Sequence, residues 1–304
     1  MKGLVTKSTG LWYEVSADRQ LMVARLRGKL KLEGKKLTNP VAVGDWVEIV
    51  PNNQVDNEWV IEQVYPRENY VIRQSPRKKG FDHLIASNID QGVVMVTLRM
   101  PRTSTGFIDR FLISLEAFRI PGVIIFNKSD LYKKKDLVLY EDLKEVYEAI
   151  GYKVLITSLL ESTPDSLVPI FEGKKSLVSG HSGSGKSTLI NKLIPEAKQE
   201  VNDVSSFANK GVHTTTFAEM FELNERTSII DTPGIKELAL SEIAPEELSH
   251  YFPEMRDLLG LCKFHNCLHL NEPGCCVKAN VGHKVSKLRY DSYLSILQNE
   301  DNRK

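Results

Sequence analysis

Apolar and polar positions along this chain follow two different rhythms. Over the first 66 residues the apolar runs are short and rich in β-branched and aromatic side chains, at 11–15, 21–26, 46–50 and 58–64. Gly34, Gly44-Asp45 and Pro51-Asn52-Asn53 interrupt them. Short strands at this spacing predict a small closed barrel. Residues 67–88, with Arg67, Arg73, Arg77, Lys78, Lys79 and Gly80 together with Pro66 and Pro76, read as a basic linker. From Asn88 the rhythm changes. Apolar runs at 93–96, 123–126, 154–156, 177–178 and 229–230 alternate with helical stretches such as 108–118 and 141–150. Buried strands alternating with helices predict an α/β unit with a parallel sheet covered on both faces. A last helix is expected over 284–298, with Lys287 and Arg289 available to contact phosphate.

Composition adds little to the class and something to the partner. The chain has 304 residues, 41% hydrophobic and 26% charged, and a formal net charge of +1. That excludes a disordered chain and a uniformly basic nucleic-acid binder. No apolar run approaches the ~20 residues that span a bilayer, and the first residues lack the apolar core of a secretory signal. The charge is uneven: residues 1–80 hold 14 Lys/Arg against 9 Asp/Glu, a net of +5, which leaves −4 for the rest. A barrel of this size resembles an OB-fold, whose open face often carries oligonucleotides. Arg25, Arg27, Lys29 and Lys31 alternate and would share one strand face. They form either a phosphate-tracking stripe or an ordinary solvated face.

The sharpest motif is Gly180-His181-Ser182-Gly183-Ser184-Gly185-Lys186-Ser187, which fits G-x-x-x-x-G-K-S. A short strand precedes it, and a helical stretch beginning at Thr188 follows. Glycines let consecutive backbone N–H groups face one anion, and the helix N-terminus adds partial positive charge. Lys186 would bridge the β- and γ-phosphates, and the Ser187 hydroxyl would hold Mg²⁺. Asp231-Thr232-Pro233-Gly234 follows another strand. Its carboxylate can hold Mg²⁺ and the Gly234 amide can meet a γ-phosphate.

Asn127-Lys128-Ser129-Asp130 also sits at a strand end. Asp130 offers two acceptors to the N1–H and N2–H₂ donors of guanine. Adenine presents an acceptor at N1 and would leave the carboxylate unpaired, a mismatch that discriminates strongly in a buried site. Lys128 would cover the base, Asn127 would tie the loop, and Thr157-Ser158 could present an N–H to guanine O6. All four cysteines crowd between Cys262 and Cys276, with His265 and His269 among them. Such clustering predicts a metal in a reducing compartment. Cys262, Cys267, His269 and either Cys275 or Cys276 would close a tetrahedral shell around Zn²⁺, with no open position and hence a structural role.

Together these motifs resemble a GTP-binding G domain in permuted order. Asn127–Asp130 and Thr157-Ser158 come first, and the phosphate loop, Thr214-Thr215-Thr216 and Asp231–Gly234 follow. This order, with Gly211-Val212-His213-Thr214-Thr215-Thr216, Asp231-Thr232-Pro233-Gly234-Ile235 and the cysteine spacing, resembles the circularly permuted ribosome small-subunit-dependent GTPase family over nearly the whole chain.

The resemblance implies an OB-fold RNA-binding domain over 1–66, a permuted GTPase domain over 67–236 and a zinc-binding module over 237–304. It selects Cys275 over Cys276 for one structural Zn²⁺. It also implies Mg²⁺ with GTP, Thr214 and Thr215 at the nucleotide, and a cytoplasmic monomer that binds the 30S subunit and 16S rRNA to assist late maturation. Ile235 stands where many G proteins place a water-orienting Gln, so slow intrinsic hydrolysis stimulated by the small subunit is expected. His213 either orients the water or is a plain switch-loop residue. A GTP-gated RNA-binding scaffold and a G protein of RNA modification stay open as alternatives.

Overall fold

The computed structural model describes residues 1–27, 37–52, 58–74, 81–160, 166–197, 218–232, 240 and 243–298. Five strands close the predicted barrel: β1 (Lys2–Ser8), β2 (Tyr13–Ala17), β3 (Gln20–Leu26), β4 (Trp46–Pro51) and β5 (Trp59–Val64). They pair in the order β1-β2-β3-β5-β4, and β4 returns to β1. Alternation fills the inside: Tyr13, Val15 and Ala17 point inward with Val5, Val47, Ile49 and Ile61. The sequence pattern missed β1, whose polar residues Thr6 and Lys7 conceal a strand that pairs on both edges.

Residues 67–88 are not simply a linker. Within them β6 (Tyr70–Gln74) and β7 (Asp82–Ser87) form an antiparallel hairpin. Its apolar side carries Val71, Ile85 and Ala86 into the large core that follows. Asp45, fully buried just before β4, fastens the hairpin. It accepts from Arg67 Nε at 2.6 Å, Ser87 Oγ at 2.5 Å and the Ala42 amide at 2.9 Å.

Beyond the hairpin the strands run parallel over β8 (Gln91–Val96), β9 (Gly122–Phe126), β10 (Lys153–Ile156), β11 (Lys175–Ser179) and β13 (Thr227–Asp231). Their order is β10-β9-β8-β11-β13, and an unforeseen antiparallel strand, β12 (Glu219–Asn224), covers the β13 edge. Strand alternation supplies both faces. Val94, Val96, Ile124 and Phe126 meet α1 (Thr105–Ala117) and α2 (Lys134–Glu148). Val93, Met95, Val123 and Ile125 meet α3 (Val168–Phe171) and α4 (Lys186–Leu193). β12 also pairs with β1 through Lys7 opposite Glu219, where the two side chains form an ion pair at 2.7 Å, so barrel and sheet are hydrogen-bonded to each other.

The C-terminal region contains α5 (Pro253–Arg256), α6 (Cys276–Ala279) and α7 (Lys287–Leu297). Leu248, Phe252, Met255, Val277, Tyr290, Tyr293 and Ile296 share a core with Ile113 of α1. Here the sequence expectation for Arg289 fails. Its side chain is 0% exposed, pairs with Asp109 at 2.5 Å and Glu254 at 2.8 Å, and cannot reach a phosphate outside.

Candidate functional site

Parallel strands carry their carboxyl ends to one edge, and ligands of open α/β sheets bind there. The predicted nucleotide residues gather at this edge. The phosphate loop leaves β11, Asn127–Asp130 leave β9, Thr157-Ser158 leave β10, and Asp231 ends β13.

Close packing explains why the loop needs its glycines. Gly180 has φ +151°, and a Cβ there would lie 2.3 Å from the Met95 carbonyl oxygen. Gly185 has φ +105°, and a Cβ would lie 2.2 Å from Asn127 Nδ2. Lys186 begins α4 and donates its ammonium to the carbonyls of Gly180 at 2.8 Å and His181 at 3.2 Å. Burial lowers its pKa, and the nearby Asp231 carboxylate opposes that shift. Ser187 and Thr188 follow in the first turn of α4, and Ser182 is exposed at the loop tip beside Gly183. Ser184 is fully buried. The His181 ring leaves the loop sideways and lies against Phe107 of α1, with ring centroids 4.1 Å apart.

Asn127 ties this edge of the sheet together. Its Nδ2 donates to the Ser184 carbonyl at 2.8 Å, and its Oδ1 accepts from the Leu159 amide at 3.2 Å. One amide side chain thus joins the three loops after β9, β10 and β11. Lys128 takes a left-handed conformation with φ 65° and donates to the Met100 carbonyl at 2.9 Å. Burial lowers its pKa, and Asp130 counteracts. The Ser158 hydroxyl donates to Asp130 Oδ1 at 2.6 Å and so orients the carboxylate. The Ser129 amide donates to the Thr157 carbonyl, while the Thr157 amide is used by Phe126 of the sheet. Sequence reasoning missed the Ser158–Asp130 bond, because a hydroxyl next to Thr157 carries no motif of its own. His213, Thr214, Thr215 and Gly234 lie outside the described residues, as do Lys29 and Lys31 of the basic stripe. Arg25 and Arg27 do share an exposed face, where they meet Glu58 and Glu62.

A second group stands apart, in the C-terminal region. The ligand atoms of Cys262, Cys267, His269 and Cys275 all lie within 4.8 Å of one another and can hold a metal ion. His269 presents Nδ1 to Cys262 Sγ at 3.7 Å and Cys275 Sγ at 3.5 Å. Bond lengths near 2.3 Å to sulfur and 2.0–2.1 Å to nitrogen, at a tetrahedral angle, place such atoms about 3.6 Å apart, so the donors fit Zn²⁺. Tyr290 and Tyr293 donate to the carbonyls of His269 and Leu268 and fix the ligand loop. Burial and the crowding of neighbouring thiols raise Cys267 to about 12, a pressure that a cation would relieve. Cys276 lies outside the group and His265 is exposed.

The motif order along the chain is permuted, yet the strand order is coherent. Comparison with known proteins agrees. The RsgA GTPase model matches residues 64–241 and the RsgA N-terminal domain model matches residues 2–57. The chain is 54% identical over 304 residues to the small ribosomal subunit biogenesis GTPase RsgA of Cytophaga hutchinsonii, covering 99% of each. It is 45% identical to the protein of that name from Bacteroides fragilis, covering 99% of this chain and 97% of the relative. Among solved structures it resembles YjeQ from Thermotoga maritima, with TM-score 0.76, 32% identity and coverage of 100% and 99%. It also resembles YloQ, a circularly permuted GTPase, with TM-score 0.72, 29% identity and coverage of 100% and 96%. With its barrel, parallel strands, permuted loop order and full-length relatives in agreement, this chain is a GTPase and belongs to the RsgA GTPase family.

Proposed function

We propose that this GTPase binds the 30S ribosomal subunit through 16S rRNA and assists its late maturation, hydrolysing GTP slowly alone and faster on the subunit. The curated relatives are small ribosomal subunit biogenesis GTPases by name. The observation that carries the nucleotide reading is the Asn127 tie between the base-reading loop and the phosphate loop. It makes one pocket from segments encoded in reversed succession.

In that pocket Asp130, held by Ser158, accepts the two guanine donors, and Lys128 covers the base. Backbone amides over 180–188 cradle the phosphates. Lys186 exchanges its carbonyl partners for phosphate oxygens, which are stronger acceptors because they are charged. Ser187 and Asp231, as hard oxygen donors, would hold Mg²⁺, and the ion would neutralise charge developing on the phosphates. Thr214, Thr215 and Gly234 would approach the γ-phosphate. His213 would orient the attacking water in place of the Gln that Ile235 replaces.

Cys262, Cys267, His269 and Cys275 would hold one structural Zn²⁺. We divide the chain into an RNA-binding barrel over 1–66, a permuted GTPase domain over 67–236 and a zinc module over 237–304, working as a cytoplasmic monomer. Among the described residues no helix is long and apolar enough to cross a membrane. Steady-state hydrolysis with and without purified 30S subunits tests the proposal. Stimulation by 30S and not by 50S supports it; equal rates with and without 30S reject it.

A further inference from the structure

One helix touches the phosphate loop at one end and, through α7, is tied to the metal-ligand loop. Near its N-terminus α1 carries Phe107, whose ring lies 4.1 Å from the His181 ring at an interplanar angle of 31°. The His181 backbone carbonyl, in turn, is one of the two acceptors that hold the Lys186 ammonium. Two residues further along α1, Asp109 is 0% exposed and pairs with Arg289 of α7 at 2.5 Å. Arg289 is 0% exposed and is also bound to Glu254 of α5, and Asp109 takes a further hydrogen bond from Tyr147 of α2 at 2.8 Å. α7 itself holds the metal-ligand loop, through Tyr290 to the His269 carbonyl at 2.6 Å and Tyr293 to the Leu268 carbonyl at 2.8 Å. Every link from Lys186 to the Cys₃His loop is thus a named contact, and α1 is the rigid member between them.

We propose that Phe107 is a positioning residue for GTP hydrolysis, and that α1 transmits the state of the phosphate loop to the C-terminal metal module. The argument rests on the GTPase reading of the pocket. When phosphate oxygens draw Lys186 away from the carbonyls of Gly180 and His181, the loop residue that stacks on Phe107 loses a backbone constraint. The ring contact then decides whether His181 stays in place and whether α1 feels the change. The Asp109–Arg289 pair resists any shift of α1 relative to α7, because separating the partners would strand buried charges. A packed helix with such an anchor moves as a body, so the shift reaches α7. Coupling is reciprocal: whatever grips the C-terminal module would alter the phosphate loop by the same free energy.

The test uses full-length, zinc-loaded protein and two readouts. One is the steady-state kcat and KM for GTP. The other is amide hydrogen exchange over residues 287–297 with and without a non-hydrolysable GTP analogue. The wild type should show a nucleotide-dependent difference in α7. Phe107→Ala should lower kcat/KM about two- to tenfold, the range that one aromatic pair supplies, and should erase the difference. Phe107→Tyr keeps a ring and should restore both. His181→Ala breaks the same stack from the loop side without opening the core, and should reproduce Phe107→Ala even if that variant folds poorly. Wild-type kinetics in His181→Ala would overturn the positioning role. A wild type without a nucleotide-dependent difference in α7, or a Phe107→Ala protein that retains it, would overturn the transmission. Absence of turnover in a wild type that binds the analogue would instead count against the hydrolase reading, and the exchange arm would still judge the relay.

Discussion

Replacing Arg289 by Met should destabilise the protein more than any exposed charge substitution. The guanidinium is completely enclosed and holds Asp109 at 2.5 Å and Glu254 at 2.8 and 3.4 Å. Burial works against its charge, but Asp109 and Glu254 outweigh that and hold the group well above the ordinary arginine range, so it stays charged at any working pH. Met would fill much of the volume yet leave two carboxylates without their cation, one 0% and the other 2% exposed. Removing one partner of a buried pair costs about 3–5 kcal/mol. With a urea slope of roughly 1–3 kcal/mol per M, the midpoint should fall by roughly 2 M. Two probes separate the regions. All three tryptophans, Trp12, Trp46 and Trp59, lie in the barrel, whereas among the described residues every α-helix lies after residue 104. Far-UV circular dichroism should therefore report the large shift, and tryptophan fluorescence a smaller one. Arg289→Lys, which keeps the charge but not the fork, should fall between. A midpoint loss below about 0.5 M in Arg289→Met would refute the reasoning, because it would mean that the carboxylates find other partners.

Further outcomes follow from the same geometry. Cys275→Ser should lower the zinc content measured by mass spectrometry of the metal and loosen residues 262–280 in hydrogen exchange, whereas Cys276→Ser should leave both unchanged, since only Cys275 is in the four-ligand group. Chelation of the wild type should reproduce Cys275→Ser, because metal binding is coupled to folding of such loops. Burial, and then the Arg73 charge, lower His83 to about 4; the unfolded state binds the proton first, so stability should decline as pH falls from about 6.5 toward 4. His83→Gln should flatten that slope in urea titrations at several pH values. Asn127→Ala removes both bonds that unite the loops, and should weaken GDP binding at least about tenfold in fluorescence titration, at roughly 1–1.5 kcal/mol per lost bond.

The parts of this protein legible in its sequence are those written in local chemistry. The phosphate loop, Asn127–Asp130 and the clustered cysteines announce themselves because backbone curvature, base pairing and metal ligation each demand particular residue types at close spacing. The unbroken apolar run from Val93 to Val96 disclosed a strand buried on both faces. What stayed hidden depends on partners distant in sequence. β1 and β12 carry charged and polar residues, and become strands through pairing with each other and with their neighbours, across 212 residues at Lys7–Glu219. The β6–β7 hairpin hides in a basic stretch because its apolar runs are short and divide between the large core and a small cluster of Ala42, Ile72 and Leu84. Arg289 was misjudged because helix periodicity cannot tell a solvated arginine from one neutralised by Asp109, 180 residues earlier. Phe107 carries no signal at all; its importance arises only where His181 meets it.

The central claim, that a guanine-reading carboxylate and a phosphate cradle form one pocket, is tested most directly by titrating GDP, ADP and xanthosine diphosphate into wild type and Asp130→Asn. Asparagine turns an acceptor into a donor, which suits the carbonyl at xanthine C2 and repels the guanine amino group. Wild type should bind GDP alone of the three, and Asp130→Asn should prefer xanthosine diphosphate. Equal binding of ADP by wild type, or an unchanged preference for GDP in Asp130→Asn, would contradict it.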